Sequence, residues 1–304
     1  MNGIEVVIFG LKLTIRPIAF SINIRSFHWN IYWYGILIAL GFVLAVVYAF
    51  KTYKRFNLDI DKILDVVIVT VPFSILCARI YYVLFDGVKV ESFKDFIGIG
   101  GSSGLSGIAI YGALIGAFLA GGIMCKIRKV NIFDMFDIAA VGFLIGQAIG
   151  RWGNFVNQEA FGSLTNSSWW GMESERTIAK MGEGLVHPCF LYESIWCIAG
   201  FFLLNHFSKK RKFSGQITLM YATWYGFGRM FIEMLRTDSL MIGPFRVSVI
   251  VSFVIFAVSL ATLIVVERKK KAVVGAEEYV NMFEEQEETE EIEESEEKEE
   301  TEND

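Results

Sequence analysis

Seven apolar stretches, each about as long as a bilayer-crossing helix, decide what this 304-residue sequence can fold into. Because the hydrocarbon core of a bilayer is about 30 Å thick, a helix needs roughly 20 apolar residues to cross it. The sequence therefore predicts an all-α, polytopic membrane protein with seven transmembrane helices. The predicted spans are residues 31–50, 63–85, 105–125, 132–150, 190–207, 216–235 and 244–266.

The composition agrees with this class of protein. Hydrophobic residues make up 54% of the chain and the mean hydropathy is +0.46, which is far from the usual balance of a soluble domain. The formal net charge of -5 comes from residues 272–304, which hold fifteen Glu and one Asp against a single Lys. The rest of the chain carries 27 basic and 17 acidic side chains, a net charge of +10.

The acidic C-terminal segment has too few apolar side chains to offset the entropy cost of ordering. We expect residues 272–304 to form a disordered tail without a catalytic role. Residues 1–271 are expected to form one seven-helix membrane domain.

Positive charge is distributed unevenly between the loops. The short loops after the first, third, fifth and seventh spans contain 15 Lys and Arg, whereas the longer loops on the other side hold ten. Because cytoplasmic loops are enriched in Lys and Arg, we expect the N-terminus outside, the loop region 151–189 outside and the acidic tail in the cytoplasm. Residues 1–20 lack the pattern of a cleaved signal peptide, so we expect them to remain and to lie at the interface.

The cysteines indicate neither metal binding nor disulfides. All four lie within or beside apolar spans and lack the spacing of metal ligands. Free Cys in such positions commonly behaves as a small hydrophobe. We expect no metal site, no disulfide framework and no cofactor. The four are Cys77, Cys125, Cys189 and Cys197.

Small residues recur at four-residue spacing in two spans. Small side chains on one helix face let neighbouring helix backbones approach closely. We therefore predict tight helix contacts, rather than a ligand site, along these faces. The residues are Gly112, Gly116 and Ala120 in the third span and Gly142, Gly146 and Gly150 in the fourth.

Polar residues inside the spans fall on the predicted outer side. Arg79, Tyr111 and Arg229 each lie about six residues from the outer end of a span, roughly 9 Å deep at the helical rise of 1.5 Å per residue. Ionisable groups at such depth generally face a bundle interior or a wet cavity and indicate a functional site.

The sixth span presents three polar side chains on one face. Tyr225, Arg229 and Glu233 are spaced by four residues in the stretch YGFGRMFIEMLR, which places them on one side of a helix. Two interpretations stay open for Arg229: a site residue, or one half of an intrahelical ion pair with Glu233.

Further polar groups meet at the same predicted level. The stretch GRWGNFVNQEAFG, residues 150–162, follows the fourth span directly, HPCFLYES precedes or opens the fifth, and Tyr34 lies near the outer start of the first. A region that is apolar below and wet above suits an amphiphile with a charged head, such as a phospholipid.

These stretches carry a resemblance to a known family. GRWGNFVNQEAFG resembles the signature of the bacterial prolipoprotein diacylglyceryl transferases, in which Gly, Arg, a spacer, Gly, Asn, Phe, a spacer, Asn, a spacer, Glu and a terminal Gly follow in order. HPCFLYE is similar to the family's His-Pro-x-x-Leu-Tyr-Glu stretch, and YGFGRMFIEMLR to its Tyr-Gly-x-x-Arg-Phe-x-x-Glu-x-x-Arg stretch. WYGILIALGF and ARIYYVLF resemble the first two spans, so the likeness covers residues 17–266.

The resemblance implies a seven-helix transferase in the bacterial cytoplasmic membrane with its site at the outer leaflet. Such an enzyme moves the diacylglyceryl group of phosphatidylglycerol to the thiol of the lipobox cysteine of a preprolipoprotein and releases glycerol phosphate. The implied partners are this lipid and the signal peptide of the substrate, and no nucleic acid is among them.

Matching motif positions imply the site residues. Arg151 corresponds to an essential arginine that contacts the lipid phosphate, and Arg229 corresponds to a second essential arginine. A planar guanidinium that stays charged in an apolar setting suits phosphate binding. The other implied substrate-binding residues are Asn154, Glu159, Gly162, Tyr34, Tyr225, Glu233 and His187.

The proton acceptor is the open point of this interpretation. Many family members have a histidine where this chain has Tyr111, and a free tyrosine, with a pKa near 10, is a poor base at neutral pH. Arg151 or Arg229 could instead lower the pKa of the substrate thiol, with Tyr111 donating or relaying a proton. His187 and Glu159 are alternative bases, although His187 before Pro188 is also a plausible loop brace.

Two other functions deserve comparison. The motif GLSG with Ser106 is similar to the nucleophile motif of rhomboid proteases, but His206 is predicted at the opposite membrane face, roughly 25 Å away, and a nucleophile and its base must touch. A glycine-rich flexible loop explains residues 98–107 better. A seven-helix receptor or transporter with a charged outer vestibule is the alternative function, although transporters usually place polar sites near the midplane.

Overall fold

The structure is a computed structural model in which the described residues are 3–24, 27–85, 96 and 109–270. At residues 23, 24, 27–29 and 110 it describes the backbone. The acidic tail, Ser106 with its glycine-rich stretch, and the start of the third predicted span lie outside these ranges.

The described chain is mostly helical, and a helix coincides with each predicted span. The long helices are α1 Trp33–Thr52, α2 Ile60–Phe85, α3 Ile110–Ile127, α4 Ile132–Asn157, α6 Cys189–Ser208, α7 Gln216–Leu235 and α8 Val247–Lys270. A 3-10 turn, Tyr53–Phe56, follows α1, and a short helix, α5 Glu175–Met181, lies between α4 and α6.

Five of these helices are long and apolar enough to cross a membrane: α1 with its 3-10 turn, α2, α4, α6 and α8. Helix α3 is apolar but shorter, with Tyr111–Ile127 as its apolar segment. Helix α7 is too polar to be among the five, because it carries threonines and the ionisable Arg229 and Glu233. The structure is thus that of a mostly helical membrane protein.

The expectation of an all-α chain needs correction, because three small antiparallel sheets lie between or before the helices. In the first sheet the strand order is β2-β1-β5, the second pairs β3 with β4, and the third pairs β6 with β7. The strands are β1 Ile4–Ile8, β2 Leu11–Ile15, β3 Ile18–Ile24, β4 Phe27–Tyr32, β5 Met172–Ser174, β6 Met241–Ile242 and β7 Phe245–Arg246.

Local chemistry explains the first hairpin. Phe9 and Gly10 join β1 to β2 with φ angles of 50° and 81°, and two positive φ values are what a tight two-residue hairpin turn needs. Val6 and Ile8 alternate with outward residues in β1 and are buried. This period of two is easily missed beside long apolar helices.

Close helix packing is confirmed at the glycines of α3. A Cβ added at Gly116 would lie 2.7 Å from Cys77 Cβ and 2.9 Å from Ser74 Cα, so α2 and α3 touch at their backbones. In α4 the contact with α1 extends to Gly146, whose Cα would lie 3.1 Å from a Cβ at Gly41. At Gly150 an added Cβ meets no described atom within 4 Å, so the expected contact is wrong there.

Helix α4 is central because it packs against α1, α6 and α7. The side chains that fill the space between these helices are fully buried, and they place the C-terminus of α4 and the N-terminus of α6 at the same end of the group. The buried residues include Phe56, Val141, Leu144, Cys197, Leu204 and Ile217.

An ionic cluster lies at the opposite end, where α4 and α7 begin. Arg211 pairs with Asp134 at 2.5 Å and with Asp137 at 2.9 Å, and all three side chains are buried. Asp137 also accepts hydrogen bonds from the backbone N–H groups of Gly215 and Thr218, at 2.9 and 2.8 Å. The carboxylate therefore caps the N-terminus of α7, where the helix dipole favours negative charge.

Removing this carboxylate should destabilise the fold. Since truncating one partner of a buried ion pair typically costs about 3–5 kcal/mol, Asp137→Ala should lower the thermal unfolding temperature in detergent, followed by tryptophan fluorescence. Asp137→Asn keeps an acceptor oxygen and should lose less. The matched control is Asp65→Ala, which removes an exposed partner of Arg128. Equal effects of Asp137→Ala and Asp65→Ala would contradict the role of the cluster.

The chain divides into two units, Met1–Ala257 and Val258–Asp304. Every site discussed below lies in the first unit. In the second unit the structure describes the last part of α8, and the predicted boundary between residues 271 and 272 stays a prediction.

Candidate functional site

A buried carboxylate between two arginines forms the centre of the site. Glu193 lies in the first turns of α6, and its Oε1 is 2.5 Å from Arg151 Nη2 while its Oε2 is 2.8 Å from Arg229 Nη1. The side chain of Glu193 is 2% exposed, whereas those of Arg151 and Arg229 are 21% and 17% exposed. Each guanidinium therefore pairs with the buried carboxylate and keeps part of its own surface accessible.

The arrangement follows from the direction of three helices. Arg151 is near the C-terminus of α4, Arg229 is near the C-terminus of α7, and α6 begins beside both. Tyr225, one turn before Arg229, donates its hydroxyl to Glu193 Oε1 at 2.9 Å. Because buried charges are tolerated when paired and hydrogen-bonded, each of these contacts helps to offset the cost of burying the Glu193 carboxylate.

Glu193 is absent from the sequence-predicted site, although the sequence contains a signal for it. The residue interrupts an apolar run, CFLYESIWCIAG, which forms one of the helices apolar enough to cross a membrane. An ionisable residue inside such a helix indicates a site by default. Applied to Glu193 as it was to Arg229, this rule would have found it.

Arg229 forms the expected intrahelical ion pair, and its role as a site residue stays a prediction. Its Nη2 lies 2.5 Å from Glu233 Oε2 in an intrahelical pair, while its Nη1 contacts Glu193. Arg236, three residues after Glu233, is 3.7 Å from the same Oε2 and pairs more closely with Asp238, at 2.8 Å. Burial tends to raise the pKa of Asp238, but the hydrogen bond and charge of Arg236 outweigh it, so this pKa is lowered.

The stretch after α4 joins Arg151 to a polar turn. Arg151 Nη1 donates to Asn154 Oδ1 at 3.2 Å, and Asn154 Nδ2 donates to Glu159 Oε1 at 2.9 Å. Gln158 and Ala160, on either side of Glu159, have φ angles of 50° and 57°, in the left-handed region that non-glycine residues rarely adopt. The structure thus brings together three residues that the signature predicts: Arg151, Asn154 and Glu159.

Tyr34 lies against the same turn of α4. Its ring fills the space beside Gly153, so that a Cβ added at Gly153 would overlap Tyr34 Cδ2. A larger residue at position 153 would displace Tyr34 from the segment between Arg151 and Asn154.

Gly162 joins the polar stretch to the ends of two helices. Its N–H donates to His187 O at 2.9 Å, and it forms an antiparallel bridge with Arg236. A Cβ at this position would lie 2.7 Å from His187 Cβ, 2.9 Å from Cys189 Sγ and 3.0 Å from Leu235 O. The segment can lie this close to α6 and α7 only because residue 162 has no side chain.

His187 lies in a hydrogen-bonded chain of its own. Its Nδ1 is 3.1 Å from the hydroxyl oxygen of Tyr192, which accepts from Trp170 Nε1 at 2.7 Å. Burial lowers the pKa of His187, which favours the neutral ring. These contacts support a bracing role at the start of α6, and the described contacts of His187 do not include Arg151 or Arg229.

Two tryptophans lock α6 to α7. The indoles of Trp196 and Trp224 are stacked with centroids 4.1 Å apart, and each Nε1 donates to the other residue's backbone oxygen at 3.0 Å. Gly200 leaves room for Trp224, since a Cβ there would lie 2.5 Å from its Nε1, and Gly228 does the same for Trp196. The pair fixes the register in which Glu193 meets Arg229.

Tyr111 and Arg79 lie on α3 and α2, two helices that pack mainly against each other. Tyr111 is 63% exposed, and its ring is 6.3 Å from that of Tyr81. Its described contacts do not join it to the arginine cluster, and its catalytic role stays a prediction. Arg79 is buried, donates from Nε to Phe96 O at 2.7 Å and lies 5.3 Å from the centre of the Tyr82 ring.

Filling the space at Gly162 should disrupt the site without unfolding the chain. In Gly162→Ala the new methyl group would push His187 and Cys189 away from Leu235 and so separate the polar stretch from α7. Because the site would lose its preorganised geometry, the transfer activity that the family resemblance implies should fall by about tenfold or more. Gly150→Ala is the matched control, because a Cβ there meets no described atom within 4 Å. Activity at the level of the control would contradict this role.

These features define a class: an integral membrane protein with an arginine-rich site at one end of its helices. The family model described as prolipoprotein diacylglyceryl transferase matches residues 17–265. The chain is 43% identical over 227 residues to a phosphatidylglycerol--prolipoprotein diacylglyceryl transferase of Clostridioides difficile. The aligned region covers 74% of this chain and 86% of the relative.

Relatives with the same name in other bacteria are matched over nearly their whole length. The chain is 41% identical over 266 residues to the protein of Clostridium novyi, covering 85% of this chain and 98% of the relative. It is 41% identical over 264 residues to that of Finegoldia magna, covering 86% and 98%. The chain therefore belongs to the prolipoprotein diacylglyceryl transferase family, which confirms the resemblance and makes it a transferase rather than a receptor or transporter.

Proposed function

We propose that this protein transfers the diacylglyceryl group of phosphatidylglycerol to the thiol of the lipobox cysteine in preprolipoproteins, the first step of lipoprotein maturation. The observation that carries this proposal is the pair of guanidiniums, Arg151 and Arg229, held on one buried carboxylate at the end of apolar helices. Relatives whose names specify both phosphatidylglycerol and prolipoprotein support the choice of substrates.

We infer that seven helices cross the bacterial cytoplasmic membrane, with the N-terminus and the site outside and the C-terminal tail in the cytoplasm. The lysine- and arginine-rich loops support this orientation, because those after α1, α3 and α6 lie opposite to the end that carries Arg151 and Arg229. In sequence, a fourth basic stretch, residues 268–271, follows the last apolar segment. Helix α7 then crosses the membrane with its polar face turned toward α4 and α6.

The arginines bind the lipid phosphate in this proposal. A guanidinium has five N–H donors, and the described contacts of Arg151 and Arg229 use Nη1 and Nη2 of each. An incoming phosphate can therefore share the two side chains with Glu193. Bidentate contacts to phosphate are strong and directional, and Glu193 keeps the two guanidiniums facing one point.

The chemical step forms one S–C bond, breaks one C–O bond and transfers one proton. The cysteine thiol loses its proton, which ends on the leaving phosphate monoester, and the thiolate attacks the diacylglyceryl carbon that bears the phosphate oxygen. The new S–C bond forms as the C–O bond breaks, and the electron pair leaves with glycerol phosphate. Arg151 and Arg229 stabilise the negative charge that builds on the leaving phosphate, and the same positive charge promotes ionisation of the thiol.

The remaining residues hold this geometry. Tyr225 and Glu233 orient Glu193 and Arg229, while Asn154 and Glu159 orient Arg151. Tyr34, Gly162 and His187 support the loop around them. We keep Tyr111 as a proton donor or relay, a role that rests on its position in the sequence.

The first test compares the two predicted catalytic groups. With labelled phosphatidylglycerol and a lipobox peptide, Arg151→Ala should lower kcat/KM by about 100-fold or more, the loss expected when a group that stabilises transition-state charge is removed. Arg128→Ala, on an exposed arginine at the other end of the helices, should leave the rate unchanged. No thioether-linked lipid from the wild-type chain would overturn the proposal, and near-normal turnover of Tyr111→Phe would remove Tyr111 from it.

The second test concerns Glu193. Glu193→Gln keeps the shape of the side chain but removes the charge that neutralises two guanidiniums, so both activity and thermal stability should fall, the latter by about 3 kcal/mol or more. Glu193→Asp restores the charge and should recover part of the activity. The matched control is Glu183→Gln on an exposed loop. Wild-type activity of Glu193→Gln would show that the bridge is dispensable.

A further inference from the structure

The connection between α7 and α8 is a small hairpin with an apolar tip. Strands β6 and β7 are joined by Gly243 and Pro244, and the φ of 58° at Gly243 allows the tight turn. Its large apolar side chains face away from the protein: Leu240 is 65% exposed, Met241 49%, Ile242 69% and Phe245 63%. A cluster of this kind on a soluble surface would indicate a binding site.

The position of the hairpin identifies what covers the tip. Strand β7 ends at Arg246 and α8 begins at Val247, so the hairpin stands directly at the end of a helix that is apolar enough to cross a membrane. The N–H of Val247 also donates to Leu240 O at 3.0 Å, which ties the base of the hairpin to the first residue of α8. The apolar tip thus adjoins exposed apolar side chains at the start of α8, among them Ile250 and Val251.

Charge distinguishes the base of the hairpin from its tip. Arg246 turns back toward the protein and donates from Nη1 to three backbone oxygens, those of Glu233, Met234 and Arg236, at 2.6, 2.8 and 2.8 Å. A cation at this position neutralises the C-terminal carbonyls of a helix. Arg246 therefore holds the last turn of α7, the helix that carries Arg229 and Glu233.

We propose that the β6–β7 hairpin is a membrane anchor, whose apolar tip inserts into the lipid interface and whose Arg246 transmits this anchoring to the C-terminus of α7. An apolar end in lipid with a charged base in the wet headgroup zone is the pattern of interfacial anchors. The hairpin then fixes the depth at which Arg229 meets a lipid headgroup. This inference goes beyond the transfer reaction, and its tests do not measure activity.

The first experiment measures the depth of the tip. An environment-sensitive fluorophore is attached through Ile242→Cys in the full chain, reconstituted in vesicles of phosphatidylglycerol and phosphatidylethanolamine, with labelled wild-type chain to correct for the native cysteines. Nitroxide lipids should quench it most strongly about 5–10 Å below the headgroups. A label at the exposed Glu183→Cys should be quenched by aqueous iodide instead.

Two outcomes would overturn the anchor. Iodide quenching at position 242 equal to that at position 183 would show that the tip lies in water. Protection from both iodide and lipid nitroxides would show that a polypeptide, such as a second copy of the chain or the substrate, covers it.

The second experiment tests the connection to α7. In nanodiscs, the double variant Ile242→Ser/Phe245→Ser and the single variant Arg246→Gln should both speed hydrogen exchange of backbone amides 230–236. Leu11→Ser/Leu13→Ser, on the exposed strand β2, should leave that exchange unchanged and serves as the matched control. Faster exchange in Arg246→Gln alone would show that the tip does not support α7.

Discussion

The contact on which the site depends is the bridge from Glu193 to Arg151 and Arg229. A carboxylate this deeply buried is tolerated only with full pairing, so the ends of α4, α6 and α7 must meet at one point. Gly162, the Trp196–Trp224 pair and the turn at Asn154 can all be understood as devices that hold these three helix ends together. The bridge holds the partly exposed guanidiniums of the two arginines together, which is the arrangement that the proposed binding of an anionic headgroup requires.

Buried carboxylates are paired with arginines at both ends of the helices, but the two ends differ in their exposure to water. At the far end, Asp137 is satisfied by Arg211 and by backbone N–H groups, and the side chains of Asp137 and Arg211 are both buried, so the cluster is closed and serves structure. At the site end, the arginines retain exposed surface. One arginine with two carboxylates thus forms a brace at one end, while two arginines that share a carboxylate form the proposed binding site at the other.

Much of this organisation could be predicted because it depends on properties that are local in sequence. Apolar length gave the helices, and spacing by four placed Tyr225, Arg229 and Glu233 on one face. The β-strands were missed because their alternation is short and lies outside the apolar stretches or at the edge of one, as for β4 and β7. Glu193 was missed although it interrupts an apolar run, and its pairing with residues 36 and 42 positions away depends on helix packing that no local pattern encodes. The location of Tyr111 beside Tyr81 likewise depends on how α3 packs on α2.

The mutual fit of Trp196 and Trp224 allows α6 and α7 to pack against each other in one register only. Each indole fills the gap above the other helix's glycine and bonds to the other helix's backbone, so sliding by even one residue would break both bonds and drive both rings into side chains. The two helices therefore dock in one registered state or separate. A protein built this way cannot tune the distance between Glu193 and Arg229 by gradual sliding of α6 along α7, so a change in that distance must come from rotation of the two side chains.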